Sequence, residues 1–149
     1  MPKASVKRLV ECKKKDLIKL VLDIEKYPEF VPFCYSAKIH KTKEEENSLK
    51  IIADLTIGKG PFKDTYKSDV NYDIENDSIF VTNIDGPLKH LENRWFFEQQ
   101  GINTEISFDI NFEIKNKFLN LIMEKSFKYG LDKIADSFQK RANDLFKGK

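Results

Sequence analysis

The side chains best suited to chemistry in this sequence are two histidines, His40 and His90, two cysteines, Cys12 and Cys34, and one carboxylate, Asp64. The histidines are 50 positions apart and no Cys-x-x-Cys occurs, so the ligand spacing of a zinc site is missing. No nucleophile elbow and no phosphate-cradling glycine loop can be found. Asp64 shares strand parity with Phe62 and Tyr66. If it pointed into an apolar cavity, its pKa would rise and it could pass a proton. At a strand end it would simply be hydrated, and the pattern favours that reading. The expectation is therefore a protein that binds rather than catalyses.

The stretch that stands out is 23–34, DIEKYPEFVPFC, where Tyr27, Phe30 and Phe33 are threaded between Pro28 and Pro32. Proline restrains its predecessor and cannot donate to a helix. Such a segment reads either as a packed corner or as a lid over an oily cavity.

The surrounding elements decide what that stretch can cover. Ala4, Val6, Val10 and Cys12 share one parity, as in a strand with one buried face. Leu17, Leu20, Val21 and Ile24 fall at helical spacing, with Asp16 as a candidate cap; Pro28 stops that helix or starts a new short turn, so two short helices are expected. Six strands then follow. Val31, Phe33, Tyr35, Ala37 and Ile39 alternate; so do Leu49 to Ile57; Phe62, Tyr66, Val70 and Tyr72 share a parity. Runs at 78–84 and 88–100 come next, and Ile106 to Ile114 alternate apolar and polar without a break. Breaks fall at 41–48, at Gly58-Lys59-Gly60-Pro61, at Glu75-Asn76-Asp77 and at Asp85-Gly86-Pro87.

From Asn116 to Phe146 the period changes to three and four, through Phe118, Ile122, Phe127, Leu131, Ile134, Phe138, Ala142 and Leu145. That predicts one amphipathic helix of about 30 residues. Gly130 lies inside it, at a cost of about 1 kcal/mol relative to alanine, which suggests a bend or the close approach of another element. A sheet with one apolar face needs a cover, and only this helix is long enough. The expected architecture is α+β: a seven-stranded antiparallel sheet wrapped around a long terminal helix, the helix-grip shape, as one domain over 1–149.

Charge and composition narrow the partners. Lysine and arginine number 26 against 24 acids, a net of +2, too even for a dedicated DNA binder. Lys13-Lys14-Lys15 reads as a solvated helix start, with contact to RNA or an anionic membrane as the alternative. Arg94 and Arg141 are candidates for surface ion pairs. No run of 18 apolar residues occurs and no signal peptide is visible, so a cytoplasmic protein with free thiols is expected. Twelve phenylalanines need a home. The inward set comprises Tyr27 and Phe30 from the proline-bounded stretch. Tyr66, Trp95, Phe97, Phe108 and Phe112 come from strands, and Phe127, Leu131 and Phe138 from the helix. Such stripes are plain core in most proteins; lining a ligand cavity is the functional alternative, with Tyr66, Tyr72 or His90 to meet a polar head.

Four blocks resemble one known family. Tyr27-Pro28-Glu29-Phe30-Val31-Pro32-Phe33-Cys34 is similar to its Tyr-Pro-x-Phe-x-Pro-x-Cys block. Asp85-Gly86-Pro87-Leu88-Lys89-His90-Leu91 is similar to Asp-Gly-Pro-Phe-Lys-x-Leu, departing at Leu88, with Trp95 following. Phe108 to Ile114 looks like the family's last strand, and 135–142 like its Ala-Phe-x-x-Arg-Ala helix signature. The family is the START-like group of coenzyme Q-binding proteins and ribosome-association toxins, labelled polyketide cyclase/dehydrase-like. The resemblance spans nearly the whole chain. It implies the helix-grip fold and ubiquinone or a related lipid in the cavity, in support of respiration. It implies no required cofactor, and a peripheral contact with the inner membrane. The other branch implies binding to a ribosomal subunit and a block on subunit joining. With no organelle presequence the chain looks like the bacterial members.

Overall fold

A computed structural model describes residues 3–59, 62–85 and 88–146; for Lys59, Phe62, Asp85, Leu119 and residues 122–129 it describes the backbone alone. The chain runs β1 (Lys3–Val10), α1 (Lys14–Leu22), a 3₁₀ helix (Ile24–Glu29), β2 (Cys34–Glu44), β3 (Ser48–Lys59), β4 (Phe62–Asp73), β5 (Ser78–Asp85), β6 (Leu88–Gln100), β7 (Asn103–Ile114) and α2 (Lys117–Phe146). All strand pairs are antiparallel in one sheet of order β1-β7-β6-β5-β4-β3-β2. This is the expected α+β helix-grip architecture.

Register puts the alternating apolar residues on one face. Ile51 pairs with Val70, Val70 with Val81, Trp95 with Phe108, Leu91 with Phe112 and Val6 with Phe108. All are buried. A one-residue slip would carry each set to solvent, so burial fixes the register. Two small inner residues, Ala53 and Ser68, face each other and are fully buried; the Ser68 hydroxyl donates to the Ala53 carbonyl at 3.2 Å.

Strand β2 departs from the expected alternation. It begins only at Cys34, and its register with β3 breaks between Cys34 and Ser36 and between Ile39 and Lys41. Each bulge swaps parity, so Tyr35 is exposed while Cys34 is buried, and Val31 and Phe33 precede the strand. Asp16 does not cap α1. It occupies the first turn, and the Lys14 amide is capped at 2.9 Å by Gln99 Oε1, from the far end of β6.

Helix α2 leaves β7 where Asn120 Oδ1 accepts from the Ile114 amide at 3.1 Å. Its backbone approaches the sheet most closely at β1 and less so at β7. Arg8 bonds Asp136 at 3.2 Å and Gln139 donates to the Leu9 carbonyl at 2.9 Å, fixing that side. Leu131, Phe138 and Ala142 are buried as the period requires, but Phe118 and Leu145 are exposed. They lie in the helix's end turns, at the margins of the sheet. The side chains of Phe62, Ile122 and Phe127, and much of the 58–61 and 85–87 turns, lie outside the described residues.

Candidate functional site

The site is built where three elements converge on Phe138 of α2. Tyr27 and Phe30 of the proline-bounded stretch meet its ring edge-on, with centroids 5.4 and 5.2 Å away. Trp95 of β6 meets it from the sheet at 5.2 Å, and Trp95 in turn lies 4.3 Å from Phe108 of β7. Five of the expected inward residues thus form one continuous aromatic chain from lid to sheet. Edge-to-face contacts of this kind add about 0.5–1.5 kcal/mol each beyond burial. Phe97, Phe112 and Leu131 are buried in the same core. Tyr66 packs against it half-buried, and burial pushes its phenol well above the ordinary range. The Phe127 side chain is outside the described residues.

Why the stretch folds this way is local. The Tyr27 carbonyl accepts from the Phe30 and Val31 amides, closing the turn that Pro28 begins. The Tyr27 hydroxyl donates to the Val21 carbonyl, tying the stretch to the end of α1. Phe33 adopts a left-handed φ of 68°, rare for a residue with a bulky side chain, and it redirects the chain into β2. Its ring edge lies 3.6 Å from where a Cβ on Gly130 would stand. The glycine in α2 therefore marks the close approach of another element. A latch closes the outside: Arg141 bonds Glu29 at 2.9 Å and lies 5.1 Å over the Phe30 ring. The Arg141 hydrogen bond, then Lys26, hold the Glu29 carboxyl below its ordinary range.

Between Trp95, Phe108, Ile106, Val6, Ile134 and Phe138 a void of about 10 Å³ remains, room for roughly one water. On this side the grip is shut. Toward β3, β4 and β5 the inner face of the sheet carries Leu55, Val70 and Val81, buried in the core, with Tyr66 packed against them.

Asp64 is exposed, and its Oδ1 accepts from the Thr65 amide at 2.8 Å, so the inward acid–base reading falls. The reason is position: Asp64 pairs with Ile57 near the turn end of the β3–β4 hairpin. His40 bonds Asp54 at 2.7 Å on an exposed face, and His90 faces Glu92 at 3.8 Å. Tyr72 sits near the turn whose Asp77 pairs with Lys14 of α1. Arg94 lies over Phe80 at 4.2 Å. No group of three metal-ligating side chains occurs among the described residues. Cys12 and Cys34 are free and buried; burial, with Asp16 adding for Cys12, pushes both thiols up to about 11.

One residue escaped the sequence reading. Asn93 of β6 has the inward parity of Leu91 and Trp95, and its Oδ1 is buried without a hydrogen-bond partner. An unpaired buried acceptor costs about 1–3 kcal/mol. The only signal was a polar residue at an apolar position of the alternation.

The family model described as "Polyketide cyclase / dehydrase and lipid transport" matches residues 13–139. The Rickettsia prowazekii ribosome association toxin RatA is 31% identical over 94% of this chain and 95% of its own. The mitochondrial coenzyme Q-binding protein COQ10 of Dictyostelium discoideum is 37% identical over 85% of this chain, which spans 62% of that relative's length. An 18 kDa protein from Caulobacter crescentus, solved in solution, superposes with a TM-score of 0.80 at 26% identity, covering 97% of this chain and 98% of that one. The Zhui aromatase/cyclase from Streptomyces superposes at 0.75 with 11% identity over 95% and 93% of the two chains, a likeness of fold.

Proposed function

Since the chain belongs to the polyketide cyclase/dehydrase and lipid transport family, we propose that it is a non-enzymatic binder of ubiquinone or a related lipid. The ligand occupies the space between α2 and the sheet. The observation that carries this reading is the aromatic seam centred on Phe138, where α2, the 3₁₀ helix and β6 meet through rings. Tyr27, Phe30, Trp95, Phe97, Phe108, Phe112, Phe127, Leu131 and Phe138 are its proposed apolar contacts, with Tyr66 beside them. An isoprenoid tail gains about 0.8 kcal/mol for each buried CH₂, so a few units suffice for useful affinity. Entry requires the Phe138 cluster to part, because the void beside it is too small for more than water. The exposed, engaged Asp64 supports a carrier over a cyclase.

The carrier works at the cytoplasmic face of the inner membrane, through a peripheral contact. No helix among the described residues is long and apolar enough to cross a bilayer. Native mass spectrometry with lipid extraction, on gently purified protein, tests the proposal. A co-purifying quinone is expected. An empty protein that also takes up no quinone on titration overturns it.

A second reading is favoured by the end-to-end match with the ribosome association toxin. In it, the same chain occupies a ribosomal subunit and hinders subunit joining. Overexpression should then shift sucrose-gradient profiles from 70S particles toward free subunits. An unchanged profile removes this reading.

A further inference from the structure

The inner face of β6 reads Leu91, Asn93, Trp95, Phe97, with Asn93 the one polar residue among buried apolar ones. Its cross-strand neighbours are Val81 on β5 and Ile110 on β7. Neither offers a side-chain hydrogen bond. The carboxamide oxygen is shut away from water and unpaired. Its place in the sheet is telling. β6 lies between β7 and β5, and two residues along from Asn93 the Trp95 ring meets Phe138 of α2 at 5.2 Å. Valine or leucine would satisfy the alternation here at no polar cost, so the asparagine calls for a partner that arrives with a ligand.

An unpaired acceptor needs a donor. A quinone ring carries carbonyl and ether oxygens, which only accept. Its reduced form carries two phenolic hydroxyls, which donate. We propose that Asn93 Oδ1 accepts a hydrogen bond from a hydroxyl on the head of an otherwise apolar ligand, so that the site selects the quinol over the quinone. This rests on the carrier reading above and adds a preference to it. Discrimination is expected to be large, because a buried polar group left unpaired by the wrong ligand is penalised in full.

Anaerobic calorimetry with a short-chain ubiquinone and its chemically reduced quinol tests the assignment on the full chain. The wild type should bind the quinol about tenfold more tightly. Asn93→Leu should lose that preference, binding the two forms within about twofold of each other while melting no lower than the wild type without ligand. Should Asn93→Leu fold poorly, Asn93→Ser, which keeps a small acceptor, should show an intermediate ratio. Equal wild-type affinity for both forms, or a selectivity unchanged in the variants, overturns the role of Asn93 and leaves the carrier reading standing. Binding of neither form by the wild type overturns both.

Discussion

At the scale of single residues, Phe138 joins the 3₁₀ helix, the sheet and α2, and nothing else bridges all three by ring contacts among the described residues. Truncation to alanine should cost about 3–5 kcal/mol, because rings on three sides cannot all collapse into the hole. Chemical denaturation checks this; a loss under 1 kcal/mol would mean the cluster is already loose. The thiols make a second residue-scale prediction. Cys12 and Cys34 are held neutral up to about 11, against 9.0 unperturbed. Between those values the unfolded chain releases protons that the folded chain keeps. Stability is therefore complete below pH 9.0 and is lost as pH rises toward 11. Replacing both cysteines with alanine should flatten that part of the pH–stability curve, whatever its effect at pH 7.

The elements differ in how far local sequence determines them. Strand β7 was legible because its period-two pattern is unbroken, and α2 because its period is sustained for eight turns. Strand β2 was not, since its two bulges leave no mark in residue type and each reverses the face that follows. The cap of α1 was invisible for another reason: Gln99 is 85 positions from Lys14. Asn93 was legible only as an interruption, and an interruption has no meaning until its neighbours are known. Gly130 was read as the mark of a close approach, and Phe33 supplies it, yet at 3.6 Å a methyl group is in ordinary contact. Gly130→Ala should thus raise stability by about 0.5–1 kcal/mol through helix propensity. A lowered melting temperature would show that the Phe33 ring cannot tolerate the methyl.

The latch is an element-scale device as well. Glu29 and Arg141 are surface groups, so their pairing adds little to global stability. What it restrains is the 23–33 stretch. The Glu29 carboxyl is held below its ordinary 4.5, so the contact is intact above that pH and is lost as pH falls through the lowered value. Glu29→Gln should speed amide exchange across residues 24–33 severalfold while leaving the melting temperature within error. Exchange that is unchanged would mean the aromatic cluster alone holds the lid.

On the scale of the whole molecule, the even charge total conceals one lysine-rich end. The β3–β4 and β5–β6 hairpins and the start of α2 share one end, with Lys63, Lys67, Lys89, Lys115 and Lys117 against Asp64 and Glu113. There Phe118 and Leu121, 67% and 58% exposed, stand three apart on the helix. The opposite end is mixed, with Glu44, Glu45, Glu46, Asp73, Glu75 and Asp77 beside Lys13, Lys14, Lys15, Lys43 and Lys50, and ion pairs join Lys14 to Asp77 and Lys43 to Glu45. Apolar tips within a lysine field suit an anionic bilayer, and this is the end we expect to meet it. Flotation with vesicles containing phosphatidylglycerol should recover the protein at low salt and less of it at 0.5 M salt, roughly where screening becomes severe. The pair Phe118→Ser and Leu121→Ser should weaken recovery about tenfold. Equal recovery would place the contact elsewhere.

The strand order has a consequence in time. β1 is made first and pairs with β7, made last, across about a hundred intervening residues. During synthesis Val6 and Val10 therefore have no sheet to join until the meander from β2 to β7 is complete. The amino-terminal strand must wait, exposed, near the ribosome, and its docking completes the sheet at the β7 edge in a single late step. Such a non-local closure folds slowly. A nascent chain stalled before residue 115 should leave β1 open to protease, and one released in full should not.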